Sequence, residues 1–175
     1  MSRTLTLERA AADHHAAIGS FAADFERVAP SEWERPLRPG KWSPAEIAQH
    51  LVVAYAPAMS ELAGGPGYER RLSPLMTRLA RWIVLGGILS GKIFPAGSKS
   101  PPEARPVGPF PQPAESAARL RSAAESFERT ICEAHRAGRG HITNAYFGPL
   151  TAPQALKLVA MHAEHHRKQL HGGNA

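Results

Sequence analysis

The 175-residue chain predicts an all-α fold: an up-down four-helix bundle with an extra short helix and a Pro-rich loop. Apolar residues recur at steps of three and four over long stretches, the period of a helix with one buried face. No stretch of useful length alternates with period two, as a half-buried strand would. Clusters of proline and glycine cut the periodic stretches apart, so each reads as a separate helix. The length suits one domain over residues 1–175 with a substantial core.

The first helix is expected over Leu5 to Ala29, with Leu7, Ala11, His14, Ile18, Phe21, Phe25 and Val28 on one face and Pro30 closing it. The second has the clearest start. Ser43 caps it, Pro44 fills the first helical position, Glu46 completes a capping box, and Trp42 and Ile47 have the spacing of a hydrophobic staple. Its inward stripe is Ile47, His50, Leu51, Ala54, Ala58 and Leu62, ending at the Gly64-Gly65-Pro66-Gly67 turn. A third helix, about Glu69 to Phe94, turns Leu72, Leu75, Met76, Leu79, Trp82, Ile83, Gly86 and Leu89 inward. Val84, Leu85 and Ile88 widen its apolar surface beyond one stripe, through either deep burial or contact with a partner helix; a homodimer is therefore left open.

Residues 98–113 hold Pro101, Pro102, Pro106, Pro109, Pro111 and Pro113 and cannot form regular helix. The simpler reading is an extended connector pinned by Phe110; the alternative is a cover over one end of the bundle that forms a pocket wall. A fourth long helix, Ala114 to Ala137, carries Ala117, Leu120, Ala124, Phe127, Ile131 and Ala134 on one face. A loop through Gly138, Gly140 and Gly148-Pro149 leads to the last helix, which Thr151 and Gln154 start with a second capping box. Its inward stripe reads Ala155, Val159, His162, His166, Gln169.

Composition excludes several classes. The net charge of +6 and a pI near 10 raise a nucleic-acid partner, but the cations are scattered and no aromatics alternate with them as a stacking platform. A solvated basic surface is the better account. The lone Cys132 excludes an internal disulfide and reads as a small core residue. The apolar run from Trp82 to Gly91 is far shorter than the ~20 residues of a membrane span. With no signal peptide at the start, the chain is expected to be soluble and cytoplasmic, with neither a membrane nor a nucleic acid as partner.

The chemistry lies in the histidines. His162 and His166, four apart, project side by side from one helix face, and His50 sits on the buried side of its own helix. One buried histidine is usually a core residue with a hydrogen-bonding partner. His162, His166 and Gln169 in succession replace the apolar residues that their stripe demands. That face therefore lines a wet cavity or holds a ligand, and three converging imidazoles suit a divalent transition metal with open positions. Gln169, only about 20° around the helix from His162, is expected in the same pocket, either holding a ligand ring by a hydrogen bond or touching substrate. His14 lies on the first helix's apolar stripe; a satisfied core histidine is the favoured reading, with a place in the pocket or behind it as the alternative. In His162-Ala163-Glu164-His165-His166, Glu164 points about 200° away from His162, so it cannot serve as a zincin-type base. His165 is expected to flank the site or face solvent, and His135, His141 and His171 occupy surface-like contexts.

Two segments carry a family resemblance: Lys41-Trp42-Ser43-Pro44-Ala45-Glu46-Ile47-Ala48-Gln49-His50-Leu51, and Tyr146 to Thr151 followed by His162 to Leu170. The paired patterns Trp-Ser-x-x-Glu-Ile-x-x-His-Leu and His-x-x-x-His-x-x-Gln-Leu resemble the DinB/YfiT-like superfamily of four-helix-bundle proteins. The resemblance implies an up-down bundle, often dimeric, with a three-histidine site mapping onto His50, His162 and His166 and commonly occupied by zinc or nickel. The Pro-rich insertion is a looser match. The implied activity is that of a metal-dependent hydrolase, or of a transferase using a low-molecular-weight thiol as cosubstrate, acting on a small-molecule substrate. The competing class is a non-enzymatic, stress-associated protein that binds a metal or small ligand. No general base is identifiable on the ligand face.

Overall fold

The structure, a computed structural model, is described over residues 5–91 and 100–172. It is a helical bundle: α1 (Leu7–Glu26), the short α2 (Pro30–Trp33), α3 (Pro44–Val53), α4 (Ala56–Leu62), α5 (Pro74–Ala80), α6 (Gly86–Leu89), α7 (Pro113–Arg136), a small hairpin of β1 (His141–Asn144) and β2 (Gly148–Thr151), and α8 (Ala152–Leu170). The long helix α1 packs against both α7 and α8, and α3 packs against α7. One continuous apolar core joins them, with Phe21, Phe25, Ile47, Leu120, Phe127, Ile131 and Leu156 all fully buried. Among the described residues no helix is long and apolar enough to cross a membrane.

The expected stripes of α1 and α7 face this core. The first helix ends earlier than expected, at Glu26, and Pro30 does not simply close it but opens the short α2. Trp33 of α2 is buried against Phe25 and donates its indole N–H to the Pro111 carbonyl at 2.7 Å. Both halves of the Ser43–Glu46 capping box form at the start of α3, at 2.8 and 3.2 Å. The second expected helix breaks after Val53, because Pro57 lacks the N–H that the Val53 carbonyl would take. Tyr68 donates its hydroxyl to the neighbouring Ala54 carbonyl at 2.8 Å.

Two expectations need correction. The third helix begins at Pro74 rather than Glu69 and passes through a π-turn at Arg81–Leu85 between α5 and α6; its expected end at Phe94 lies outside the described residues. Its inward face is also different: Leu85 and Ile88 are buried, while Leu75, Met76, Leu79, Trp82 and Ile83 are exposed. Both faces of this segment are apolar, so periodicity could not choose between them, and the π-turn shifts the phase of everything after it. The loop before the last helix is in fact a hairpin, pairing Ile142 with Leu150 and Asn144 with Gly148. Asn144 Oδ1 accepts the Tyr146 and Phe147 N–H groups at 2.9 and 3.0 Å, and Gly148 takes a left-handed φ of 65° to return the chain. Gly140 at its base is required by close approach, since a Cβ there would lie 2.5 Å from His135 Cα.

At the other end of the bundle, buried Asp24 ties α1 to the end of α8. Its carboxylate accepts from Arg27, Arg167 and His171 at 3.0, 2.6 and 2.7 Å. Burial works to raise its pKa, but the hydrogen bonds from His171 and Arg167 outweigh that and hold it below the usual carboxylate value.

Candidate metal centre

α8 brings His162 and His166 to one face, and α3 presents His50 opposite them. Among the described residues these three form the group of donor side chains able to share an ion, with their ligating atoms all within 4.8 Å of one another. His162 Nε2 stands 3.2 Å from His50 Nε2 and 3.0 Å from His166 Nε2. An ion held at about 2.0–2.1 Å by three nitrogens requires them about 2.9 Å apart at right angles and about 3.4 Å apart at tetrahedral angles. The two spacings from His162 fall inside that interval, and the third pair, His50 and His166, has ligating atoms within 4.8 Å.

The protons are arranged to suit a cation. His50 Nδ1 lies 2.5 Å from the Ala104 carbonyl and His166 Nδ1 lies 2.8 Å from Gln169 Oε1. An oxygen acceptor on each Nδ1 assigns the proton there and leaves each Nε2 lone pair facing the third ring. His162 Nε2 carries at most one hydrogen, so it can donate to only one of these two nitrogens. Burial, aided by the neighbouring rings, pushes the pKa of His162 well below the ordinary histidine value. Burial likewise takes His166 down to about 3 and lowers His50 despite its bond to Ala104. Three neutral imidazoles are the form a divalent ion needs.

Surrounding residues hold the rings. Gln169 lines the same cavity; beyond its bond to His166 it donates Nε2–H to His165 Nε2 at 3.2 Å. His165 itself lies on the cavity wall, half-buried, with its pKa lowered mainly by burial. Trp42 packs over two of the rings, stacked on His166 with centroids 6.1 Å apart and tilted against His50 at 4.8 Å. His14 does not line the cavity. It is fully buried one layer behind, bonded through Nδ1 to Glu128 at 2.8 Å and through Nε2 to the Tyr55 hydroxyl at 2.9 Å, while the Tyr55 ring forms part of the wall. His135 and His141 are exposed.

The cavity measures about 1140 Å³, somewhat above the ~300–1,000 Å³ of ordinary small-molecule sites. Its walls are largely apolar: Val84 and Ile88 from α5–α6, Phe127 from α7, Ile142, Phe147 and Leu150 from the hairpin. Ser100, Pro101, Ala104, Arg105 and Pro106 also line it, so the described part of the Pro-rich segment is a pocket wall as well as a connector. Arg81 secures the hairpin by donating to the Phe147 carbonyl at 2.7 Å and to the Pro149 carbonyl, and Glu61 accepts the Thr143 N–H and hydroxyl at 2.6 and 2.8 Å. Sequence reasoning missed the Ala104 carbonyl, a backbone group with no residue-type signal. It assigned Trp42 to a staple, although its place beside the cap and two turns before His50 was a usable cue.

A model of the DinB superfamily matches residues 14–170, a span that takes in all three clustered histidines. No curated protein and no solved structure matches the chain.

Proposed function

The chain belongs to the DinB superfamily, and from that membership and the convergence of three imidazoles we propose that it is a metal-dependent enzyme. Its reaction is hydrolysis or S-transfer with a low-molecular-weight thiol, and its metal is zinc or nickel. The observation that carries the reading is that His162 Nε2 lies within 3.2 Å of the Nε2 atoms of both His50 and His166, with oxygen acceptors at the far nitrogens of those two rings, at the wall of a roomy cavity. Among the described residues no fourth side chain joins the donor group, which favours a site with open positions over a closed structural one.

A bound divalent ion supplies Lewis acidity, toward water for hydrolysis or toward a thiol that leaves its proton and reacts as thiolate. The protein supplies the rest. His50, His162 and His166 are the ligands; the Ala104 carbonyl and Gln169 fix the orientation of two of them. Trp42 shields the rings, and the apolar wall excludes water around a small-molecule substrate. Among the described residues the one carboxylate on the wall, Glu46, accepts the Ser43 N–H in the helix cap. No free carboxylate base is therefore at hand on the described wall. That asks least of the S-transfer branch, in which the nucleophile is a thiol acidic enough to ionise on binding.

The exposed face of α5–α6 supports a homodimer. Leu75, Met76, Leu79, Trp82 and Ile83 offer on the order of 500 Å² of apolar surface, at the upper end for a monomer's largest patch. With polar flanks this approaches the ~800 Å² per partner of a stable interface.

The deciding experiment is metal analysis of untagged protein, beside the triple variant His50→Ala, His162→Ala, His166→Ala. One divalent ion per wild-type chain is expected, with a melting temperature that rises with added zinc. The triple variant should stay helical by circular dichroism and lose both. An unfolded triple variant would make the histidines structural; a metal-binding one would place the ion elsewhere.

A further inference from the structure

The cavity has a polarity along its length. At the histidine end its mouth carries Arg38, Lys41 and Arg105, all exposed. Lys41 is the chain neighbour of Trp42, which packs on two of the rings, and Arg105 follows Ala104, whose carbonyl holds His50. Arg38 donates to the Gly172 carbonyl at 2.8 Å, just past the end of α8. The α5–α6 and hairpin part of the wall is mainly apolar, with Val84, Ile88, Phe147 and Leu150 beside Thr143 and Asn144.

Among the described residues the charged side chains on this wall are Arg38, Lys41 and Arg105 against one carboxylate, Glu46. Among the described residues neither Lys41 nor Arg105 forms an ion pair, and the wall's only carboxylate is occupied in a helix cap. The neutral ligand set adds no negative charge either, so a bound divalent ion would leave its full charge in the cavity. A cleft of one sign between low-dielectric walls concentrates ions of the opposite sign by about tenfold to a thousandfold.

We infer that the substrate of this site is an anionic amphiphile, its acidic group held at the mouth by Lys41, Arg105 and Arg38 and its apolar body lying along Val84, Ile88 and Phe147. This rests on the proposed use of the cavity as a substrate site. It adds a selection by charge that operates whether or not metal is bound. The acidic group stays at the mouth, one residue away from the groups that touch the ligand rings, so the portion of the substrate next to it is the portion nearest the histidines.

The test is calorimetric titration of the full-length chain with three ten-carbon probes, decanoate, decanol and decylammonium, each below its micelle concentration. Each is run on zinc-loaded and on chelator-treated protein. Decanoate should bind at least about tenfold more tightly than the other two, in both metal states, and the margin should shrink at high salt. The charge-reversed variant Lys41→Glu, Arg105→Glu alters two exposed side chains and should fold normally. It should lose the preference while binding decanol as wild type does. Equal binding of decanoate and decanol, no binding of any probe, or a preference unchanged in the reversed variant would overturn the inference. So would a preference seen only with zinc, which would assign the selection to the metal. Failure to bind zinc alongside an intact preference would instead overturn the metal reading and leave this one standing.

Discussion

Replacing Gln169 with leucine removes the acceptor that holds His166 in the candidate metal site, together with the longer hydrogen bond to His165. The amide oxygen lies 2.8 Å from His166 Nδ1, and His166 is buried. Leucine fills similar space with no acceptor. His166 then either keeps its Nδ1 proton unpaired, at a cost of about 1–3 kcal/mol, or moves the proton to Nε2 and donates it to His162. The second route relieves the metal-free protein but removes the lone pair that an ion needs, so the penalty falls on metal binding rather than on folding. Losing such a partner typically weakens metal affinity by about 10–100-fold, or about 1.4–2.7 kcal/mol. Competition against a chromophoric zinc chelator measures this directly, with the metal-free melting temperature as the control. Gln169→Glu keeps an oxygen acceptor at the same reach and should retain zinc affinity near wild type or above it. Wild-type affinity in Gln169→Leu, or equal losses in both variants, would refute the argument.

Two further outcomes follow from the same structure. Burial lowers the folded pKa of all three clustered histidines from 6.5, to about 3 for His166. Below pH 6.5 the unfolded chain takes up protons that the folded chain refuses, so stability is full above that pH and falls away toward the folded values. Calorimetry of metal-free protein from pH 7.5 to 4 should show a falling melting temperature, with a shallower fall in the triple alanine variant; equal slopes would mean the cluster does not govern the loss. On the exposed apolar face, Leu75→Lys with Trp82→Glu should turn a sedimenting dimer into a helical monomer at micromolar concentration, and a monomeric wild type would remove the dimer reading.

What could be read from the sequence depended on whether one residue type answers one physical demand. The Ser43–Glu46 cap was legible because a hydroxyl three residues before a carboxylate is the arrangement that satisfies open N–H groups at a helix start. The α1 and α7 stripes were legible because each has one apolar face and one polar face. The α5–α6 segment has two apolar faces, and the choice between them is made by tertiary contact with the hairpin and by a π-turn that no local pattern announces. The hairpin was missed because each of its strands is four residues long, too short for alternation to stand out. Its cues, Asn144 and Gly148 bracketing a three-residue loop, are those of turn chemistry instead.

The candidate site divides along the same line. Donor atoms belong to side chains, and the four-residue spacing of His162 and His166 with the place of His50 on the buried stripe of α3 was enough to bring them together on paper. Orientation belongs partly to the backbone. The Ala104 carbonyl that fixes His50 comes from a Pro-rich segment whose prolines cannot donate hydrogen bonds and so leave carbonyls unmatched by neighbouring N–H groups. A segment of that composition laid across a bundle end presents acceptors to whatever donors lie beneath it. In this chain the donor beneath is a histidine whose other nitrogen faces the cavity, so the wall residue and the candidate ligand are set by one contact. The Pro-rich wall and the orientation of His50 are thus a single feature of the fold, and a substitution that moves residues 101–106 acts on the site through His50 before it acts on the shape of the cavity.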